Sequence, residues 1–195
     1  MKLTTQYFLL SILILALFSS CKQEVTPEPD PTPDPTPNVN VTELATPSAG
    51  NPTIVTGNIS SGESLDDLDW AALSNVACFP ATRFIEFEGN QVYYSVEIPQ
   101  GSEMKLTVTP TGEKKRINIY GYINFDGSNT PPVQSVTSCE AGYEIYVGDP
   151  DLTAEGQPQD ISFAQAVNRS FTVFIAVSGA RDVTEGDFEL KAELL

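Results

Sequence analysis

Carboxylates are the most abundant ionisable groups in this sequence. The chain of 195 residues contains 26 Asp and Glu residues, 10 Lys and Arg residues and no histidine. Without histidine, Ser-His-Asp and Cys-His catalysis and the common zinc sites are excluded, and no Gly-rich phosphate loop is present. The catalytic arrangement that is still possible is a pair of carboxylates, as in glycoside hydrolysis. Because acids are so numerous, two neighbouring carboxylates are expected by chance and do not indicate an active site. We therefore predict that the protein is not an enzyme, and a glycosidase or accessory hydrolase is the alternative.

Two short acidic runs offer oxygen ligands of the kind that calcium prefers. The first consists of Asp66, Asp67 and Asp69, and the second of Asp149 and Asp151. Neither run matches the twelve-residue calcium loop. A helix N-terminus for the first run and a polar turn for the second are the favoured interpretations. We therefore expect no cofactor, and Ca²⁺ stays an alternative that no motif supports.

Four aromatic side chains form the candidate binding surface. Tyr93, Tyr120, Tyr122 and Phe174 lie out of phase with the apolar residues of their predicted strands. On an open sheet face, such side chains could stack on a carbohydrate or anchor a protein ligand. The alternative is that the second face is covered, which is favoured because these strands are apolar on both faces.

The elements that position these residues are predicted to be β-strands. Alternation of apolar with other residues places one set on a core face and the other set on the opposite face. The clear runs lie within 92–98, 106–108, 117–123, 171–177 and 188–194, and weaker strands are expected at 53–58, 84–87, 143–147 and 160–163. Turn signals such as Glu88-Gly89-Asn90 separate the runs. About eight strands in one domain predict an all-β, antiparallel, jelly-roll-like sandwich over residues 41–195.

One short helix is predicted within the segment SLDDLDWAAL, which begins at Ser64. Ser64 is placed to cap this helix, and Asp66 and Asp67 would lie favourably in its first turn.

The N-terminal residues indicate export. Lys2 precedes an apolar run at residues 8–18, which is too short to span a hydrocarbon core of about 30 Å but is typical of a signal peptide. Phe18-Ser19-Ser20-Cys21 resembles a bacterial lipobox, with Phe in place of the usual Leu. This resemblance implies cleavage after residue 20 and attachment of fatty acyl chains, such as palmitate, to Cys21. Two or three chains make a stable membrane anchor, whereas one is marginal.

A Pro-rich tether follows at residues 21–40. Proline occupies every second position from Pro27 to Pro37, which excludes a helix and favours polyproline II. Such a segment is a spacer that carries a domain away from the membrane, or else a ligand for aromatic grooves. The spacer is favoured, because an anchored domain needs one.

Export would place the other two cysteines, Cys78 and Cys139, in an oxidising compartment where disulfides form. An even pair in an exported chain predicts one disulfide, and two free buried thiols are the alternative.

Without residues 1–20 the chain has 9 basic and 26 acidic residues, a net charge of −17. This charge disfavours nucleic acid as a partner and permits cations or basic partners, although solubility is the simpler explanation.

Residues 91–194 carry a family resemblance. The segments QVYYSVEIPQGSEMKLTVTP, RINIYGYI, QDISFAQAVNRSFTVFIAVSG and GDFELKAEL follow one another in the order typical of the bacterial pre-peptidase C-terminal domain, which this region resembles. The resemblance implies a non-catalytic β-sandwich that usually accompanies secreted hydrolases. The family's acidic strand is replaced here by Arg116-Ile117-Asn118-Ile119-Tyr120, and its tyrosine strand by residues 171–175. The calcium and collagen roles of some relatives are therefore not carried over.

These observations together predict a lipid-anchored protein of the bacterial cell envelope, at the outer membrane or cell surface. Its domain would bind, adhere or act as an accessory without catalysis. A structural subunit of an envelope assembly is a further alternative, which a large exposed apolar patch would favour.

Overall fold

Nine β-strands in two facing sheets make up about half of the described part of the protein. The structure is a computed structural model and describes residues 39–73, 76–113, 115–124, 131–133, 136–145, 156–164 and 169–195. The predicted signal peptide, the predicted lipidation site Cys21 and nearly all of the Pro-rich tether lie outside these residues. In the part that is described, no helix combines the length and the apolar character needed to cross a membrane.

The strands are divided between a five-stranded and a four-stranded sheet. They are β1 (Val41–Glu43), β2 (Thr53–Asn58), β3 (Gln91–Ile98), β4 (Glu103–Thr111), β5 (Ile117–Asn124), β6 (Val136–Gly142), β7 (Gln159–Ala164), β8 (Phe171–Gly179) and β9 (Asp187–Leu194). The sheet orders are β1-β3-β8-β5-β6 and β2-β9-β4-β7. Neighbouring strands are antiparallel except β1 and β3, which are parallel. Strands β2 to β9 follow jelly-roll order, so the predicted sandwich is confirmed, with β1 as an added edge strand.

The inner core lies between the two sheets and follows from the alternation in the sequence. On β4, Met104, Leu106 and Val108 are fully buried, whereas the intervening Lys105 and Thr107 are only half-buried. The facing sheet contributes Val96, Ile98, Ile117, Ile119, Val173, Ile175 and Val177. Burial of each large aliphatic side chain contributes about 1.5–3 kcal/mol, so this core holds the two sheets together.

A second core lies on the other face of the five-stranded sheet. Residues 64–90, which we call the covering segment, contain helix α1 (Asp69–Leu73) and the 3-10 helix Ala81–Glu86. They pack apolar side chains against this face, namely Leu68, Trp70, Ala71, Phe79 and Phe87. The central strand β8 is therefore buried on both faces, from residue 173 to its end, which explains why its sequence is apolar on both faces.

A disulfide holds the covering segment to the sheet. Cys78 in the covering segment is bonded to Cys139 on β6, with their Cα atoms 4.8 Å apart. This pairing confirms the predicted disulfide. It fixes the cover at the edge strand of the sheet.

Several elements differ from those predicted. The weaker strands expected at 53–58 and 160–163 are present as β2 and part of β7, but residues 84–87 belong to a 3-10 helical turn instead of a strand. Residues 143–145 follow β6 without strand structure, and 146–147 lie outside the described residues. Strands β1 and β6 were not predicted, because β1 has only three residues and β6 mixes small, polar and apolar residues.

The helix of the covering segment begins later than predicted. It starts at Asp69, and the backbone N–H of Asp69 donates to Oδ1 of Asp67 at 2.7 Å. Ser64 does not cap it, because the preceding Glu63 forms an isolated bridge with Gln91. The carbonyl of Glu63 accepts from the N–H of Gln91 at 3.0 Å, which keeps the chain extended just before the helix.

Candidate functional site

The predicted aromatic binding surface is not exposed. Tyr120 and Tyr122 have no exposed area, and Tyr93 and Phe174 are only 5% and 7% exposed. The prediction of an open aromatic platform is therefore wrong. The alternative interpretation, that these side chains are packed beneath a cover, is the one that the structure supports.

The aromatic side chains pack against rings of the covering segment and against one another. The Trp70 ring lies 5.5 Å from the Tyr122 ring, edge to face, and the Phe79 ring lies at the same distance from Tyr120. The Tyr122 and Phe174 rings are stacked at 5.7 Å. Offset and edge-to-face contacts of this kind stabilise by about 0.5–1.5 kcal/mol each beyond their buried area. These side chains therefore serve the fold of the domain.

A buried hydrogen-bond network satisfies the polar ends of two of the tyrosines. The hydroxyl groups of Tyr93 and Tyr120 both donate to Oε1 of Gln91, at 2.8 and 2.7 Å. The Nε2 group of Gln91 donates to the carbonyl of Phe87 in the covering segment at 2.7 Å. Burial raises the pKa of Tyr93, Tyr120 and Tyr122 well above the ordinary value. The phenols therefore stay protonated as donors and do not act as bases.

The calcium candidates are not brought together as a metal site. Asp66, Asp67 and Asp69 are all exposed, and Oδ1 of Asp67 is occupied by the N–H of Asp69. Among the described residues, no group of three or more His, Cys, Asp or Glu side chains could hold a metal ion. Asp149 and Asp151 lie outside the described residues.

The covering segment contains a buried carboxylate that the sequence did not single out. Glu86 has no exposed area, and its Oε1 lies 3.9 Å from Nη1 of Arg83. The backbone carbonyl of Glu86 accepts from Asn118 Nδ2 at 2.6 Å, and Asn118 Oδ1 accepts from the N–H of Glu144 at 3.2 Å. The Glu144 carboxylate in turn lies 4.0 Å from Nε of Arg116. Because Glu86 is closed to solvent, it cannot meet a substrate, and the cluster serves to hold the cover on the sheet.

An accessible polar groove lies beside the edge of the five-stranded sheet in the described part of the chain. This groove, which we call the edge groove, has a volume of about 390 Å³. Three chain segments line it, namely Val39, Asn40 and Thr42 at β1, residues 61–65 before the helix, and residues 91–94 of β3. The exposed polar side chains in this lining are Asn40, Thr42, Ser61, Ser64 and the charged Glu63, whereas Gln91 and Tyr93 use their polar groups in the buried network.

Strand pairing forms the edge groove. Strand β1 pairs with β3 through residues 93–95, whereas Glu63 pairs with Gln91 two residues earlier on β3. Two separate segments therefore meet β3, and the space between them is the groove. Gly62 makes this possible, because a Cβ at that position would lie 1.8 Å from the carbonyl oxygen of Gln91. No motif marks these residues in the sequence, since they are small and polar and converge only through pairing.

A smaller hollow of about 210 Å³ lies at the end of the four-stranded sheet. Four of its polar side chains are already paired with one another. Lys115 Nζ lies 2.9 Å from Glu185 Oε1, and Asn58 Nδ2 donates to Asp187 Oδ1 at 2.8 Å. The edge groove is therefore the better candidate for a ligand.

Four large apolar side chains are exposed in the described part of the chain, and they lie in four separate parts of the sequence. They are Ile54 on β2, Leu73 at the end of α1, Ile145 after β6 and the terminal Leu195.

This chain is similar to known proteins in structure but matches none of them by sequence. No family model matches the chain, and no curated protein does. Similar solved structures include the pre-peptidase C-terminal domain of a Bacillus anthracis collagenase (9% identity, TM-score 0.39), over 80% of this chain and 96% of that one. They also include PliG of Aeromonas hydrophila, a periplasmic inhibitor of g-type lysozyme (10%, 0.39), over 80% and 97% of the two chains. A third is CorA, a surface-associated copper-binding protein of Methylomicrobium album BG8 (8%, 0.43), over 80% and 98%.

One of these structures belongs to the family that residues 91–194 resemble. At TM-scores below 0.5, none of the three likenesses carries an argument about the ligand or the activity of this chain. The candidate site therefore depends on the geometry of the edge groove alone.

Proposed function

We propose that the protein is a lipid-anchored module of the bacterial cell envelope that binds a carbohydrate or protein ligand in the edge groove without transforming it. The observation that carries this proposal is the groove itself, a polar cavity of about 390 Å³ at a sheet edge. Its volume falls within the range typical of ligand sites, about 300–1,000 Å³. The anchor at Cys21 and the envelope location rest on the N-terminal sequence.

The chemistry of the groove supports binding without catalysis. Its lining consists of hydroxyl groups, amides, tyrosines, aliphatic side chains and the Glu63 carboxylate. Catalysis by a carboxylate pair needs a second carboxylate across the cleft, and the described lining contains one. Hydroxyl and amide groups of this kind orient a polar ligand through hydrogen bonds.

The experiment is an equilibrium binding screen with the intact mature chain against envelope oligosaccharides and peptides, combined with NMR mapping of the bound site. We expect at least one ligand class to shift backbone amide resonances of residues 39–42 and 61–65, and no hydrolysis product to appear. Ser64→Trp, which fills the groove from an exposed position without changing charge, should abolish these shifts. Ligand hydrolysis, or binding that leaves the groove resonances unchanged, would refute the proposal.

A further inference from the structure

We infer that the edge groove takes a basic, extended segment of a partner polypeptide. This inference rests on the proposed function, because it names the ligand of the same groove. It comes from how charge is distributed over the structure, from the backbone at the groove, and from the composition of the chain around it.

The basic residues in the described part of the chain already have partners, and none of them lines the edge groove. Seven Lys and Arg residues lie in the described part of the chain, and six of them form an ion pair with a carboxylate. The pairs are Arg83–Glu86, Lys105–Asp160, Lys115–Glu185, Arg116–Glu144, Arg181–Glu88 and Lys191–Glu193. The seventh, Arg169, lies over the Phe171 ring at 4.9 Å.

Among the described residues that line the edge groove, one is a carboxylate and none is basic. Between residues 23 and 82 the sequence has nine Asp and Glu residues and no Lys or Arg. Within the described part of that stretch, the five carboxylates are exposed and form no ion pair with a described residue. They are Glu43 on β1, Glu63 in the groove lining, and Asp66, Asp67 and Asp69 directly after it. A ligand in the groove therefore meets a negative potential, which attracts and orients a cation.

The backbone edge of β1, unpaired in the described part of the chain, makes a basic polypeptide a better ligand than a small cation. Strand β1 is the terminal strand of the five-stranded sheet, so one side of its backbone pairs with no described strand. Asn40, just before β1, and Thr42 on β1 line the groove. An extended chain can add to such an edge through main-chain hydrogen bonds while alternate side chains enter the adjacent cavity. Lys or Arg side chains from that chain would meet Glu63.

The test uses the intact mature chain and a fluorescein-labelled octalysine peptide, followed by fluorescence anisotropy. A Gly-Ser octapeptide is the uncharged control peptide. We expect octalysine to bind and the control peptide not to bind. Glu63→Gln should weaken octalysine binding by about 3- to 5-fold, the upper part of the range for the loss of one exposed charge pair, and Ser64→Trp should weaken it further.

The matched control is Glu103→Gln. Glu103 is exposed at the start of β4 in the other sheet and forms no ion pair with a described residue, so its removal should leave binding within about twofold. Equal losses in the Glu63 and Glu103 variants would indicate diffuse attraction to an acidic surface and would overturn the inference. Absence of octalysine binding would also overturn it. A neutral oligosaccharide that occupies the groove where octalysine does not would overturn this inference and leave the proposed function intact.

Discussion

The hydroxyl group of Tyr120 on β5 donates a hydrogen bond of 2.7 Å to the side-chain oxygen of Gln91 on β3, although β8 lies between these strands. Gln91 also binds Tyr93 and the backbone of Phe87. A single buried amide therefore joins two strands of the five-stranded sheet to the covering segment.

Replacement of Gln91 should destabilise the domain strongly. Gln91→Leu leaves two buried hydroxyl groups without their acceptor, and each such group costs about 1–3 kcal/mol. We expect the free energy of unfolding in urea to fall by about 3 kcal/mol. Gln100→Leu, in the exposed turn after β3, is the control and should change it by less than ~0.5 kcal/mol. Equal effects of the two substitutions would contradict a central role for Gln91.

The disulfide should contribute a large share of the stability of the domain. Cys78 and Cys139 are 61 residues apart in sequence, and closing a loop of that length stabilises by about 4 kcal/mol in the chain-entropy model. The double variant Cys78→Ala with Cys139→Ala should lose about this amount in urea unfolding. In the unreduced exported protein, neither thiol should react with an alkylating reagent. Ready alkylation of both without a reductant would exclude the bond.

The buried tyrosines should make the domain sensitive to alkaline pH. Burial raises the pKa of Tyr93, Tyr120 and Tyr122 in the folded state, whereas in the unfolded chain they titrate near pH 10. Above about pH 10 the unfolded state therefore releases protons that the folded state keeps, so stability is lost as pH rises. Three such groups give a slope of about −4 kcal/mol per pH unit.

Urea unfolding between pH 9 and pH 11 measures this slope, and tyrosinate absorbance reports the ionisation. Tyr122→Phe should reduce the slope by about one third. A stability that stays constant up to pH 11 would contradict the burial of these phenols.

Lipidation at Cys21 remains a prediction from the sequence. Cys21→Ala should give a protein that takes up no labelled palmitate and partitions into the aqueous phase of a detergent extraction. Cys78→Ser is the matched control, because it removes a different cysteine and should leave labelling intact. Continued palmitate uptake by the Cys21 variant would end the anchor hypothesis.

The sequence predicts which side chains are buried where apolar and polar residues alternate along a strand. It predicts this less well for the covering segment, which lies outside the sandwich. The alternation on β4 and β9 predicts the inner core correctly, because period-two patterns report directly on which face is buried. The same pattern could not decide whether Tyr120 and Tyr122 face solvent. That depends on residues 64–90, which fold over them through contacts distant in sequence.

The 3-10 helix at Ala81–Glu86 shows a second limit. Phe84, Ile85 and the following Phe87 have the β-propensity of a strand, but Phe84 and Phe87 pack in the second core and Ile85 packs against the inner core. The edge groove was not predictable for a related reason. Its lining comes from three segments that approach one another only when Glu63 and β1 both pair with β3.

The bond between Cys78 and Cys139 also determines what a single proteolytic cut would do. Strands β3, β4 and β5 lie entirely between the two cysteines, so hydrolysis of a peptide bond in any of their connections leaves both fragments covalently joined. The nicked molecule would keep its full mass under non-reducing conditions and separate into two bands only after reduction. A cut in the connection between β8 and β9 lies outside this loop and has no such protection.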